Sequence, residues 1–128
     1  MTNKINKKKL ADSCEEALSR IDDRQAEMVE TVQVWSKVNS GSRNLDGLSK
    51  MEQIVVDAFA PLGAEIEFIQ LADGEFVNQA GDVETVKNGR SIRIFKRPEA
   101  NRRVLMTGHT DTVFALNHPF QEPVWLDD

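Results

Sequence analysis

Arg102-Arg103-Val104-Leu105-Met106-Thr107-Gly108-His109-Thr110-Asp111-Thr112-Val113-Phe114 is the stretch on which the fold turns. Val104, Leu105 and Met106 form an unbroken apolar run, the pattern of a strand buried on both faces. Gly108 ends the run. His109 and Asp111 follow at once, two polar residues that an interior accepts only with partners. Residues two apart in an extended chain point to the same side. The spacing therefore predicts that His109 and Asp111 look out together from the carboxyl end of a central strand, where open α/β sheets place their ligands. One imidazole nitrogen can bind a metal while the other donates its N–H to a carboxylate, which fixes tautomer and ring orientation. The competing reading of the same two residues is a plain hydrogen-bonded pair at a strand end.

Upstream, the apolar residues Leu10, Cys14, Ala17, Ile21, Met28, Val32 and Trp35 recur at steps of three, four or seven. That is one face of a long helix from about Leu10 to Val38, with Ser13 and Glu16 at capping-box spacing. Asn39-Ser40-Gly41-Ser42 breaks it, with Gly41 placed for a left-handed conformation. A second helix is expected from about Gly47 to Leu62, capped by Asp46 and closed by Gly63, with Leu48, Met51, Val55, Ala58, Phe59 and Leu62 on its apolar stripe. Ala64, Ile66 and Phe68 alternate with polar residues, as in a half-buried strand. Val83–Val86 reads as another strand, and Asn88-Gly89 as a hairpin turn returning through Ser91–Phe95. Two helices before a run of strands, one of them doubly buried, predict an α/β layered domain with a mixed sheet.

Charge is unevenly spread over the 128 residues. Lys4, Lys7, Lys8 and Lys9 stand without an acid in the first nine, which read as a disordered, solvated tail. The remainder carries 12 basic against 21 acidic groups, so no basic stripe exists for nucleic acid. Nothing reaches the length of a membrane span, and the lysines precede no apolar segment of a secretory signal. Cys14 is the only cysteine, which makes a reducing cytoplasm the expected compartment and packing its expected role. His118, before Pro119, reads as a solvent or packing histidine in a loop. Asp127 and Asp128 follow the apolar Val124-Trp125-Leu126 and read as a turn rather than as metal ligands.

The full string Thr107-Gly108-His109-Thr110-Asp111-Thr112-Val113-Phe114 closely resembles the first metal-binding motif of the M20 metallopeptidases. That family includes glutamate carboxypeptidase, acetylornithine deacetylase, succinyl-diaminopimelate desuccinylase and aminoacylase. Trp35-Ser36-Lys37-Val38-Asn39-Ser40-Gly41-Ser42, with Gly47-Leu48 after it, is similar to the family's N-terminal region, a loop to which the resemblance gives a structural role only. The resemblance implies His109 as a zinc ligand and Asp111 as the catalytic carboxylate that orients it. It also implies two zinc ions in a complete site, with cobalt or another divalent metal as a substitute. The implied substrates are small peptides or N-acyl amino acids with a free carboxylate, and the intact protein would form a homodimer.

The family's remaining metal groups come later in its sequences: a bridging Asp in a Gly-rich stretch, a Glu-Glu pair, a further acid and a late His. None of them follows His109 here, and the inserted dimerisation domain is absent too. On this resemblance residues 1–128 are expected to be the N-terminal part of a zinc-peptidase-like catalytic domain, inactive on its own. A rival of another class is a non-catalytic α/β binding or regulatory module that keeps the shape without the metal site. A serine hydrolase would want Gly-x-Ser-x-Gly, which the sequence lacks.

Overall fold

The computed structural model describes residues 7–126. The chain divides into two compact units, Met1–Val34 and Trp35–Asp128. The described residues form an α/β arrangement: α1 (Lys7–Asp22), α2 (Gln25–Ser36), α3 (Leu45–Phe59), a 3-10 turn (Ala60–Leu62), then β1 (Glu65–Gln70), β2 (Gly74–Val77), β3 (Val83–Val86) and β4 (Arg90–Phe95). No described helix is long and apolar enough to cross a membrane.

In the first unit, the long helix expected over Leu10–Val38 is two helices. Helix α1 already runs from Lys7, so Ser13 is mid-helix and the capping box does not form; residues 1–6 of the expected tail lie outside the described residues. The break falls at Asp23-Arg24, within the seven-residue step from Ile21 to Met28 on the apolar face. Asp22 and Asp23 sit at the negative end of the α1 dipole, where their charges disfavour further helix. Arg24 N–H bonds to the Ile21 carbonyl at 3.0 Å, tightening the last turn. The Arg24 carbonyl then accepts the first bond of α2 from Met28 N–H at 2.9 Å. Arg24 also grips Glu27 with two bonds of 2.8 and 2.7 Å. Cys14 is exposed rather than packed.

In the second unit, α3 is capped by Asn44 and not by Asp46: the Asn44 carboxamide oxygen accepts from Gly47 N–H at 3.1 Å. Asp46 lies in the first turn, where its charge suits the dipole. Leu48 and Met51 are the buried apolar residues, and Phe59 and Leu62 farther along the expected stripe are exposed. The helix tightens at Pro61 and stops where expected, Gly63 taking a left-handed φ of 54°.

The strands form two antiparallel ribbons instead of a mixed sheet: β1 with β4, from Glu65↔Phe95 to Gln70↔Arg90, and β2 with β3, from Gly74↔Val86 to Val77↔Val83. The second ribbon is thus nested between the two strands of the first. Its turn is made by Asn78, whose side-chain oxygen accepts from Ala80 N–H at 2.9 Å and Asp82 N–H at 3.0 Å, with Gly81 at φ 91°. Asn88-Gly89 is therefore a crossing between ribbons and not a hairpin turn. Gly89 is not among the positive-φ glycines, as a two-residue hairpin turn of that type would require. A Cβ there would lie 3.1 Å from Leu48 Cδ1, and Asn88 Nδ2 donates to the Ala72 carbonyl at 2.7 Å.

Ribbon β1–β4 is tied to α3 by a polar bond. The Glu52 side chain, 5% exposed, receives Arg90 Nε at 3.0 Å, Arg90 Nη2, and the Arg90 backbone N–H at 3.3 Å. The Arg90 guanidinium also lies 4.3 Å from the Phe68 ring centroid.

Val104–Met106 departs most from expectation. The run forms no strand, and its residues are 88, 86 and 89% exposed. A doubly buried strand needs a neighbour on each edge and a layer on each face, and none of the described strands pairs with it.

Candidate functional site

The site grows from two loops of the second unit that lie side by side. Gly41 and Thr112 form an isolated parallel bridge: Thr112 N–H donates to the Ser40 carbonyl at 2.9 Å, and Ser42 N–H donates to the Thr112 carbonyl at 3.1 Å. Ser40, 1% exposed, is the most deeply buried side chain described. Asn39 extends the seam, its Nδ2 reaching the carbonyls of Phe114 at 3.3 Å and Ala115 at 3.2 Å. Gln121 closes the far end by donating to the His118 carbonyl at 2.6 Å.

Close approach of the backbones explains the glycines here. A Cβ on Gly41 would stand 2.3 Å from the Phe114 carbonyl oxygen, and one on Gly47 would stand 1.8 Å from the Asn39 carbonyl oxygen. Gly41 does not adopt the left-handed conformation expected of it. Lack of a side chain, not freedom of φ, is what the position requires.

The seam sets the two motif residues. Asp111 presents one carboxylate oxygen, Oδ2, to the Ser42 hydroxyl at 2.6 Å. Its other oxygen, Oδ1, lies 3.3 Å from His109 Nδ1, and its backbone carbonyl lies 2.7 Å from the same nitrogen. Both neighbours of Nδ1 are acceptors, so Nδ1 carries the proton of a neutral ring and Nε2 keeps its lone pair. The Ser42 bond is the main cause holding the Asp111 carboxyl below the usual range; partial burial opposes it, and the Asp111 backbone N–H and His109 assist. His109 is 83% exposed, and its Nε2 makes no hydrogen bond among the described residues.

The geometry thus brings His109 and Asp111 together as the spacing predicted, though at the edge of a loop rather than the tip of a central strand. His118 is a loop residue that packs 4.9 Å from the Phe114 ring and accepts from Phe120 N–H at 3.0 Å. Asp127 and Asp128 lie outside the described residues. Sequence reasoning missed Ser42. A hydroxyl within an Asn-Ser-Gly-Ser run is a local signal for a turn, and its partner lies 69 residues away.

A zinc centre needs three protein ligands with an open position for water. Among the described residues, no three His, Cys, Asp or Glu side chains are grouped to hold a metal ion. The pair fits one ligand and its orienting carboxylate, and not a whole coordination shell. No family model matches the chain, and no curated protein or solved structure matches it significantly.

Proposed function

We propose that the chain is the opening portion of a zinc-dependent hydrolase of the M20 type, cleaving amide bonds of small peptides or N-acyl amino acids. The observation that carries this reading is the facing of His109 Nδ1 by Asp111, which leaves Nε2 open. That is how a histidine is prepared for a metal: one nitrogen fixed by a carboxylate or carbonyl, the other free to bind. His109 would be one ligand and Asp111 its orienting acid. When bound, zinc polarises a scissile carbonyl and lowers the pKa of its water to about 7. The chain's own contribution is to hold the imidazole in the metal-binding tautomer. Further ligands and a general base would come from polypeptide beyond residue 128.

The exposed run Val104–Met106 supports the same reading. Three adjacent apolar side chains with no cover, directly before the motif, fit an interior strand whose neighbours are supplied by more chain. Reading the gene past the codon for Asp128 tests the proposal. An open frame that reaches a Gly-rich segment with Asp, and then a Glu-Glu pair, is expected; a stop codon at that point overturns it. A second check uses the 128 residues alone, which are expected to bind zinc weakly. Submicromolar, stoichiometric binding by calorimetry, lost in His109→Ala, would refute the need for further ligands.

The rival reading, a non-catalytic module with a structural His–Asp pair, has one observation in its favour. Asp111 is already engaged by both Ser42 and His109, which is enough to account for its presence as a loop fastener.

A further inference from the structure

Both acceptors that face His109 Nδ1 belong to Asp111, and both are fixed from across the seam by Ser40–Ser42. The Asp111–Thr112 peptide is held by its N–H, which donates to the Ser40 carbonyl at 2.9 Å. In a trans peptide the C=O points opposite to the N–H. That bond therefore turns the Asp111 carbonyl toward the imidazole, where it lies 2.7 Å from Nδ1. The Asp111 carboxylate is held separately. The Ser42 hydroxyl occupies Oδ2 at 2.6 Å, which leaves Oδ1 facing the ring at 3.3 Å.

We propose that Ser42 is a positioning residue: acting through Asp111, with the Ser40 carbonyl as its backbone counterpart, it selects the His109 tautomer with the proton on Nδ1. The loop to which the family resemblance gives a structural role only is, on this view, the device that presents the Nε2 lone pair. The inference deepens the reading of His109 as a metal ligand. It is tested without metal, so its outcome is separate from whether zinc binds.

Without Ser42, the Asp111 side chain is free to rotate away from the ring, and Nδ1 keeps only the carbonyl. The bond from Nδ1–H to the Asp111 carboxylate is charge-assisted but long, 3.3 Å, and open to solvent, so its loss is expected to shift the tautomer ratio about three- to tenfold. Imidazole 15N shifts of the metal-free 128-residue chain read that ratio directly at about pH 8, where an ordinary histidine is neutral. In the unsubstituted chain the Nδ1–H form is expected to dominate; dominance of the Nε2–H form would overturn the proposal with no variant needed. Ser42→Ala is expected to lower the Nδ1–H to Nε2–H ratio by the stated factor, while the Thr112 amide resonance stays in place. Ser42→Thr, which keeps the hydroxyl, is expected to restore it. Because Ser42 acts through Asp111, Ser42→Ala combined with Asp111→Ala is expected to shift the ratio no further than Asp111→Ala alone. An unchanged ratio in Ser42→Ala, or additive effects in the double variant, would show that Ser42 only fastens the loop.

Discussion

The two sides of His109 are built in opposite ways. On its amino side, Val104–Met106 lies unpaired with almost all of its apolar surface in water. On its carboxyl side, Asp111, Thr112, Phe114 and Ala115 are fastened to Asn39–Ser42 through backbone and side-chain bonds. Both sides belong to one sequence motif. The difference lies in what each would need: the carboxyl side is completed by hydrogen bonds to a short loop about 70 residues earlier, whereas the strand expected on the amino side would require whole strands as neighbours. A loop-to-loop seam can form within a small unit. A doubly buried strand cannot, because its stabilisation comes from area that other elements must cover.

Substitution at the glycines tests this contrast most severely. Gly47→Ala drives a Cβ to 1.8 Å from the Asn39 carbonyl oxygen and 2.5 Å from Asn44 Nδ2. Backbone must move there, at a cost of about 3 kcal/mol or more. That outweighs the roughly 1 kcal/mol an alanine ordinarily gains over glycine in a helix. Gly41→Ala, against the Phe114 carbonyl, is expected to cost somewhat less, about 2–3 kcal/mol. Gly108→Ala, on the other side of His109, meets nothing within 4 Å. It should change stability by no more than about 0.5 kcal/mol. Urea unfolding of the three variants gives the order. A Gly108→Ala as damaging as Gly41→Ala would mean that the amino side is fastened too.

The second-largest effect concerns how the ribbon is held without the strand. Arg90→Met leaves the Glu52 carboxylate, 5% exposed, without its charged partner. Removing one member of a buried pair typically costs about 3–5 kcal/mol; Arg90 itself is 42% exposed, and solvent access reduces the loss to about 2 kcal/mol. Adding Glu52→Leu removes the stranded charge and is expected to recover most of that. If the double variant is no more stable than Arg90→Met, burial of the carboxylate is not the source of the loss. The Ser42–Asp111 contact should be untouched in either variant, since it shares no partner with this pair.

These residues also show what was legible in the sequence. The nearness of His109 and Asp111 could be read because it follows from a two-residue spacing; the seam that fixes their orientation could not. The stop of the helical run at Gly63, just after the 3-10 turn that follows α3, was equally readable, because a left-handed residue ends a helix locally. The break at Asp23-Arg24 was hidden by apolar residues that keep helical phase across it, Ile21 and Met28 being two turns apart. Asn88-Gly89 carries a strong hairpin signal, but Asn78 fixes a five-residue turn, 78–82, with its own side chain. The partner strand is therefore decided by competition between two turns. Glu52 and Arg90 are ordinary surface charges by type, and only their meeting across 38 residues identifies them as a tie. Ser42 fails to announce itself for the same reason. Val104–Met106 was read correctly as apolar and incorrectly as buried, since composition reports what a segment would cover and not whether the cover is present.

The smallest expected effect on folding is also the sharpest test of the amino side. Leu105, 86% exposed, contributes almost no buried area to the described structure. Leu105→Lys should therefore alter the free energy of urea unfolding by no more than about 0.5 kcal/mol. Its effect on association should be larger. An exposed apolar stretch with unpaired backbone groups invites pairing with a second chain, and a lysine on such an edge opposes it through charge and hydration. Light scattering of the unsubstituted chain is expected to show concentration-dependent self-association, reduced in Leu105→Lys at unchanged unfolding behaviour. A loss of 2 kcal/mol or more in the variant would show instead that Leu105 is covered within the single chain. The two sides of His109 would then be alike in being anchored, and the support that the open run lends to a larger hydrolase would be withdrawn.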